Sequence, residues 1–166
     1  MKVISVPHTG TRFVVNLIRG AGVETVQQHT YDGNMWRVWL RDGEKAVIPL
    51  RDPVLCMISA INRMEQASWV DGFNQLLEWP LDHALFFRVD CPERERATEV
   101  AALYNYIGAA VPDTDWTPVG SEPDHLGLKR DYLATGTFPQ AFTEKVHRTT
   151  RAFLRSHGYT MMWMES

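Results

Sequence analysis

Short apolar runs recur along this chain, each passing through a few polar residues into an amphipathic stretch, and that alternation constrains the fold more than any other feature. Val3 to Val6 reads as a buried strand. Thr11 to Ala21 follows as a helix, with Phe13, Val14, Leu17 and Ile18 on one broad apolar face. Gly20 and Gly22 end it. Val23 to Gln28 suggests a second strand stopping near His29, and Tyr31 to Gly43, mixing Gly, Asn, Trp and Arg, reads as a loop or irregular hairpin. Lys45 to Leu50 is strand-like and Pro53 to about Met64 helical. Asp52 suits the cap there, and Pro53 the first turn, where no backbone N–H is needed. Ser68 can cap another helix reaching towards Glu78, before Trp79-Pro80.

Ala84 to Val89 is a further strand, and Pro92-Glu-Arg-Glu opens a helix whose acidic first turn complements the dipole. The proline-rich stretch from Val111 to Pro123 reads as a surface loop. A last helix is expected from about Pro139 to Ser156, closed by Gly158, and Tyr159 to Trp163 could add a short strand. Strands alternating with helices predict one α/β domain over residues 1–166, a three-layer sandwich around a mostly parallel central sheet.

Composition narrows the function classes. A length of 166 residues with 45% hydrophobic content suffices for one sizeable core. A formal net charge of −3 excludes the bulk basic field that drives tight nonspecific DNA binding, while leaving room for a local basic site. Cys56 and Cys91 make neither a disulfide framework nor a CxxC pair, and are expected as free thiols in a reducing compartment. No apolar run approaches the ~20 residues of a membrane span. Met1-Lys2 leads straight into a strand with no secretion-signal pattern, so a cytoplasmic location is expected. No His/Cys/Asp cluster has zinc spacing.

Two strand–loop–helix junctions carry the chemistry. Pro7-His8-Thr9-Gly10-Thr11-Arg12 sits where the first strand ends, so backbone N–H groups and a helix dipole favour an anion above the sheet. Gly10 permits close approach, and the Thr9 and Thr11 hydroxyls can donate. The Gly-x4-Gly-Lys-[Ser/Thr] pattern is absent, and an ordinary turn also explains a Gly between two threonines. The second junction is Arg51-Asp52-Pro53, with Ser59 two helical turns on. Arg51 suits a phosphate as a fork donor, its alternative being a cap or surface ion pair.

Together the two junctions resemble the sulfotransferases, P-loop-like enzymes dependent on 3′-phosphoadenosine-5′-phosphosulfate. Pro7 to Phe13 is similar to that family's phosphosulfate loop, commonly Pro-[Lys/Arg]-[Ser/Thr]-Gly-Thr-[Thr/Ser]-[Trp/Phe]. Arg51 and Ser59, eight positions apart across Asp52-Pro53, resemble its 3′-phosphate motif. The resemblance implies a P-loop NTPase/sulfotransferase-like fold. It assigns the 5′-phosphosulfate to Thr9, Gly10, Thr11 and Arg12, adenine stacking to Phe13 (otherwise a core Phe), and the 3′-phosphate to Arg51 and Ser59. His8 departs from the family's Lys or Arg and would supply positive charge only when protonated; Arg12 could supply a permanent one. His29, after the second strand, falls near the edge where the family places a base that takes the acceptor's proton. Its alternative is a satisfied strand-end residue.

The expected activity is therefore transfer of a sulfuryl group to an acceptor hydroxyl or amine, without a metal. The first rival is a kinase using ATP with Mg²⁺ on a small molecule, a nucleotide or a modified DNA base, the one reading with a nucleic-acid partner. Asp90, after an apolar strand, would then be the metal-holding carboxylate, its alternative being a strand-end or helix-capping Asp before Pro92. The second rival is a non-catalytic nucleotide-binding module. Lys129-Arg130 is a candidate lid over the 3′-phosphate, or else a solvated basic pair. His83, His125, His147 and His157 read as structural or solvent-facing. So short a chain leaves little room for an acceptor site: either a large acceptor binds an open cleft, or a partner chain, as in a homo-oligomer, completes the site.

Overall fold

The structure, a computed structural model, describes residues 1–41, 43–61, 66–78, 83–113 and 148–159, and within them every strand runs parallel to its neighbour. Strands β1 (Lys2–Ser5), β2 (Val26–His29), β3 (Ala46–Leu50) and β4 (Ala84–Arg88) form one sheet in the order β2-β1-β3-β4. Helices α1 (Thr11–Gly20), α2 (Gly33–Trp39), α3 (Pro53–Ile61), α4 (Gln66–Leu77), α5 (Glu93–Ile107) and α6 (Arg148–Ser156) complete the described elements.

Strand alternation divides the core in two. Ile4, Ala46, Ile48 and Leu50 point to one face, where they meet Trp36 of α2, Val54, Met57 and Ile58 of α3, Phe73 and Leu76 of α4, and Leu154 of α6. Val3, Val47 and Phe87 point to the other, against Val14 and Ile18 of α1 and Val100, Leu103 and Tyr104 of α5. The result is the expected three-layer α/β arrangement around a parallel sheet. No described helix is long and apolar enough to cross a membrane.

The strand order reverses direction about β1. The chain leaves β1 over α1 to reach β2 on one side, then returns over α2 to β3 on the other side of β1. Such a reversal opens a crevice beyond the C-terminal ends of the two strands. Pro49 widens it. The Leu50 carbonyl accepts from the Val89 N–H at 2.8 Å on the β4 side, so Pro49, one residue earlier, faces β1 with no N–H to give. Accordingly β1 pairs with β3 only at Lys2↔Ala46 and Val3↔Val47, whereas β3 pairs with β4 along its whole length.

Three local expectations change. The segment read as a loop or irregular hairpin contains α2, because Trp36 (1% exposed) and half-buried Trp39 lie one turn apart and seat a short helix on the core. Ser68 lies inside α4, which begins at Gln66, and so does not cap it. Tyr159 itself is in no strand, with Gly158 (φ 81°) ending α6 and the Tyr159 N–H donating back to the Leu154 carbonyl at 3.0 Å, while the rest of the strand expected to Trp163 lies outside the described residues. Most of the proline-rich loop, the first half of the expected last helix, His125, His147 and Lys129-Arg130 lie outside the described residues.

Candidate functional site

The β1–α1 loop turns sharply because two residues take left-handed backbone conformations, His8 (φ 73°) and Gly10 (φ 86°). At Gly10 only glycine fits: a Cβ would stand 2.7 Å from Val89 Cγ1. His8 bears a cost of about 1–2 kcal/mol for this conformation, and its neighbours hold it there. Its Nδ1 is hydrogen-bonded to Ser59 Oγ at 2.8 Å, and its carbonyl accepts from Arg51 Nη1 and from the Cys56 thiol, each at 3.4 Å. The loop is thus tied to β3 and α3 at the crevice.

Helix α1 starts bare. Its cap is Gly10, which has no side chain to accept a hydrogen bond, and its first turn carries no acidic residue. The Gly10 carbonyl takes the N–H groups of Phe13 and Val14 at 3.1 and 3.4 Å, so the amides before Phe13 have no acceptor within the helix. Arg12 stands exposed in this first turn without a hydrogen bond or ion pair among the described residues. A cation at the positive end of a helix is adverse by about 0.3–1 kcal/mol unless an anion joins it.

The loop hydroxyls have structural partners. Thr9, buried, donates to the Val6 carbonyl at 2.8 Å. Thr11 Oγ1 lies 2.8 Å from Ser5 Oγ and 3.2 Å from His29 Nδ1, and Ser5 Oγ lies 3.0 Å from the same nitrogen. The β1–β2 register, Ser5↔His29, sets up this cluster. It fixes the imidazole by one nitrogen at the end of an edge strand, with the residue itself exposed. Ser5 was missed from sequence, although a serine inside Val-Ile-Ser-Val was a visible polar interruption of a buried strand.

At the second junction Asp52 caps α3 as expected, its Oδ1 accepting from the Val54 and Leu55 N–H groups at 2.8 and 3.4 Å. Arg51 is half-buried, and Ser59 is buried against His8. Phe13 is half-buried in the α1–α5 core, 6.3 Å from the Phe87 ring and 6.0 Å from the Arg96 guanidinium carbon. The candidate residues therefore fall into two groups flanking one loop: His8, Arg51 and Ser59 towards β3, and Thr11 and His29 towards β2.

Beside the crevice, beyond the ends of β3 and β4, lies a cleft of about 220 Å³ lined by residues including Asp52, Arg88, Asp90, Cys91, His157 and Tyr159. Asp90 does not cap α5, whose cap position is Pro92. Its carboxylate accepts from the Asp52 N–H at 2.6 Å and from the Tyr159 hydroxyl at 2.8 Å. Burial pushes its pKa up, with the nearby Asp52 charge adding to the effect. Burial and the Asp90 carboxylate push the Tyr159 hydroxyl up in turn, so it remains a donor. Both cysteines are free and buried, and burial raises the Cys91 thiol. His157, read from sequence as solvent-facing, is half-buried, with its ring 4.1 Å from that of Phe153.

No protein-family model, curated protein or solved structure matches the chain. The chemistry of the site is that of its own residues: a bare helix start and two guanidinium groups, suited to anions, beside a polar cleft with half-buried acceptors.

Proposed function

We propose that this chain is a group transferase that holds an adenine nucleotide at the β1–α1 loop and moves a sulfuryl group from 3′-phosphoadenosine-5′-phosphosulfate to an acceptor hydroxyl or amine. The observation that carries the reading is the uncapped start of α1, with Arg12 unpaired among the described residues, next to Arg51 at the β1/β3 crevice. Such a constellation is electrostatically incomplete without an anion. Gly10 adds a cradle that a methyl group would fill. Two guanidinium groups on different junctions suit a nucleotide with phosphates at two places.

On this reading the amides at Gly10 to Arg12, with the Arg12 side chain, hold the 5′ end, and Arg51 holds the 3′-phosphate. When bound, the nucleotide supplies an activated sulfuryl group. Ser59 acts through His8: its hydroxyl sets the imidazole, which adds positive charge to the loop when protonated. His29, oriented by Ser5 and Thr11, takes the acceptor's proton. The magnesium-dependent kinase reading would call on Asp90, whose two oxygens instead brace Asp52 and Tyr159.

Calorimetric titration with 3′-phosphoadenosine-5′-phosphate, beside ATP with and without Mg²⁺, tests the proposal on wild type and Arg51→Ala. Micromolar binding of the bisphosphate, weakened about tenfold or more by the substitution, is the expected result. Binding of ATP with Mg²⁺ alone would replace the reading with the kinase. No binding of either would leave a module that keeps the fold without the chemistry.

A further inference from the structure

The cleft beyond β3 and β4 has acceptors where the β1–α1 loop has donors. His157 Nδ1 lies 2.9 Å from the Phe153 carbonyl, a geometry in which that nitrogen carries the proton and donates. In the neutral imidazole the other nitrogen, Nε2, is then the lone-pair acceptor, and it has no hydrogen-bond partner among the described residues. Asp90 contributes a carboxylate that accepts from the Asp52 N–H and the Tyr159 hydroxyl and has lone-pair capacity beyond its bonds. Tyr159 is locked as a donor to Asp90, so its own oxygen can also accept.

The charge around these acceptors is unfavourable for an anion. Arg88 is the cation that lines the cleft, and its Nη2 is paired with Glu95 at 2.9 Å and Glu99 at 3.1 Å. Arg96, on the neighbouring turn, donates to the Val89 and Cys91 carbonyls and lies over the Phe13 ring. Asp52 and Asp90 bring further negative charge, and no group of three metal-ligating side chains converges among the described residues.

We propose that the cleft between the ends of β3 and β4 is a binding site for a small organic ligand bearing a primary amine, alone or with a hydroxyl, whose N–H groups donate to Asp90 and His157 Nε2. A second phosphate is the wrong ligand for this place. Chain neighbours of the cleft's lining residues tie it to the loop: Val89, before Asp90, stands against Gly10, and Arg51, before Asp52, donates to the His8 carbonyl. The sheet order β2-β1-β3-β4 separates the cleft from His29, so it is a site additional to the one where the proposed base meets the acceptor.

Amide NMR titration of the full chain with ethanolamine tests the site, with inorganic phosphate as the opposing probe. Ethanolamine is expected to shift the Asp90, Cys91 and Gly158 amides saturably. Asp90→Asn should weaken this about tenfold, since an asparagine can still accept from Asp52 and donate to the Tyr159 oxygen. His157→Phe, which keeps a ring packed against Phe86 and Phe153, should weaken it as well. No shift at concentrations that saturate a site of about 1 mM Kd would overturn the proposal, as would phosphate competing for the same amides. The wild-type chain separates the two claims when both ligands are titrated. Ethanolamine binding in a wild type blind to the bisphosphate keeps the cleft and sinks the transferase reading; bisphosphate binding without ethanolamine binding does the opposite.

Discussion

At the C-terminal edge of the sheet, the helix after β1 begins bare while the helix after β3 begins capped. Gly10 gives α1 no side-chain acceptor and leaves Arg12 beside its positive end. Asp52 closes α3 with two hydrogen bonds, and Glu93 and Glu95 occupy the first turn of α5. Among the starts of α1, α3 and α5, the same backbone device is left open once and neutralised twice. Helix starts at a sheet edge are therefore not interchangeable anion sites, and the side chain at the cap decides which one stays available. The difference also separates two chemistries: a cationic loop suited to phosphates, and an acidic cleft suited to a donor of N–H groups.

The largest expected effect breaks the open end itself. Gly10→Ala should cost about 2–4 kcal/mol, combining left-handed strain with a clash against Val89, read as a shift in the denaturant midpoint. Gly22→Ala is the matched control, with a similar φ of +75° and nothing within 4 Å of the added carbon, so it should show only the strain of about 1–2 kcal/mol. Equal losses at both positions would mean that the loop does not need its close seat on Val89.

Asp52→Ala comes next, at about 1 kcal/mol for a lost cap. It opens the second helix start while leaving Arg51 in place. Bisphosphate affinity, followed by calorimetry, should not fall, because the substitution removes an anion from beside the site. A fall would place Asp52 within the nucleotide site and erase the contrast between the two helix starts.

A pH-dependent effect then sharpens the contrast from the cleft side. The Asp90 carboxyl has its folded pKa raised by burial, so the folded chain holds that proton more tightly than the unfolded one. The contribution of Asp90 to wild-type stability should fall as pH rises from the unfolded carboxylate value through the folded one. Asp90→Asn removes this dependence. The stability of the variant relative to wild type should therefore grow with pH across that window and be flat above it, as measured by denaturation at a series of pH values. A difference that shrinks with rising pH would mean that the carboxylate is stabilised in the fold.

Much of this edge was legible in the sequence, and what was not has a physical reason. The strand–loop–helix alternation gave the layers, and Asp52-Pro53 gave a cap that the structure reproduces. Hidden were the partners of the polar side chains. Thr9, Thr11 and Ser59 looked like outward donors, because spacing along the chain does not say whether a hydroxyl meets solvent or a carbonyl; here they meet Val6, Ser5 and His8. The cleft was hidden because it joins Asp90 to His157 and Tyr159, a contact across 69 residues that no local pattern encodes. Helix α2 was hidden by Gly33 and Asn34, loop-forming residues overruled by the burial of Trp36.

The smallest effect is the most discriminating. Arg12 sits in the first turn of α1, where its charge opposes the dipole, so Arg12→Gln should stabilise the free chain by about 0.3–1 kcal/mol. With 3′-phosphoadenosine-5′-phosphate present the order should reverse, because ligand stabilises each chain according to its own affinity and wild type binds more tightly. Thermal melts of both proteins with and without the bisphosphate read the two signs in one experiment. A residue retained only for the fold would destabilise the free chain when replaced. Only a residue held for an anion gains stability on removal and loses that gain when the anion arrives, which is the behaviour expected of the bare helix start and not of the capped one.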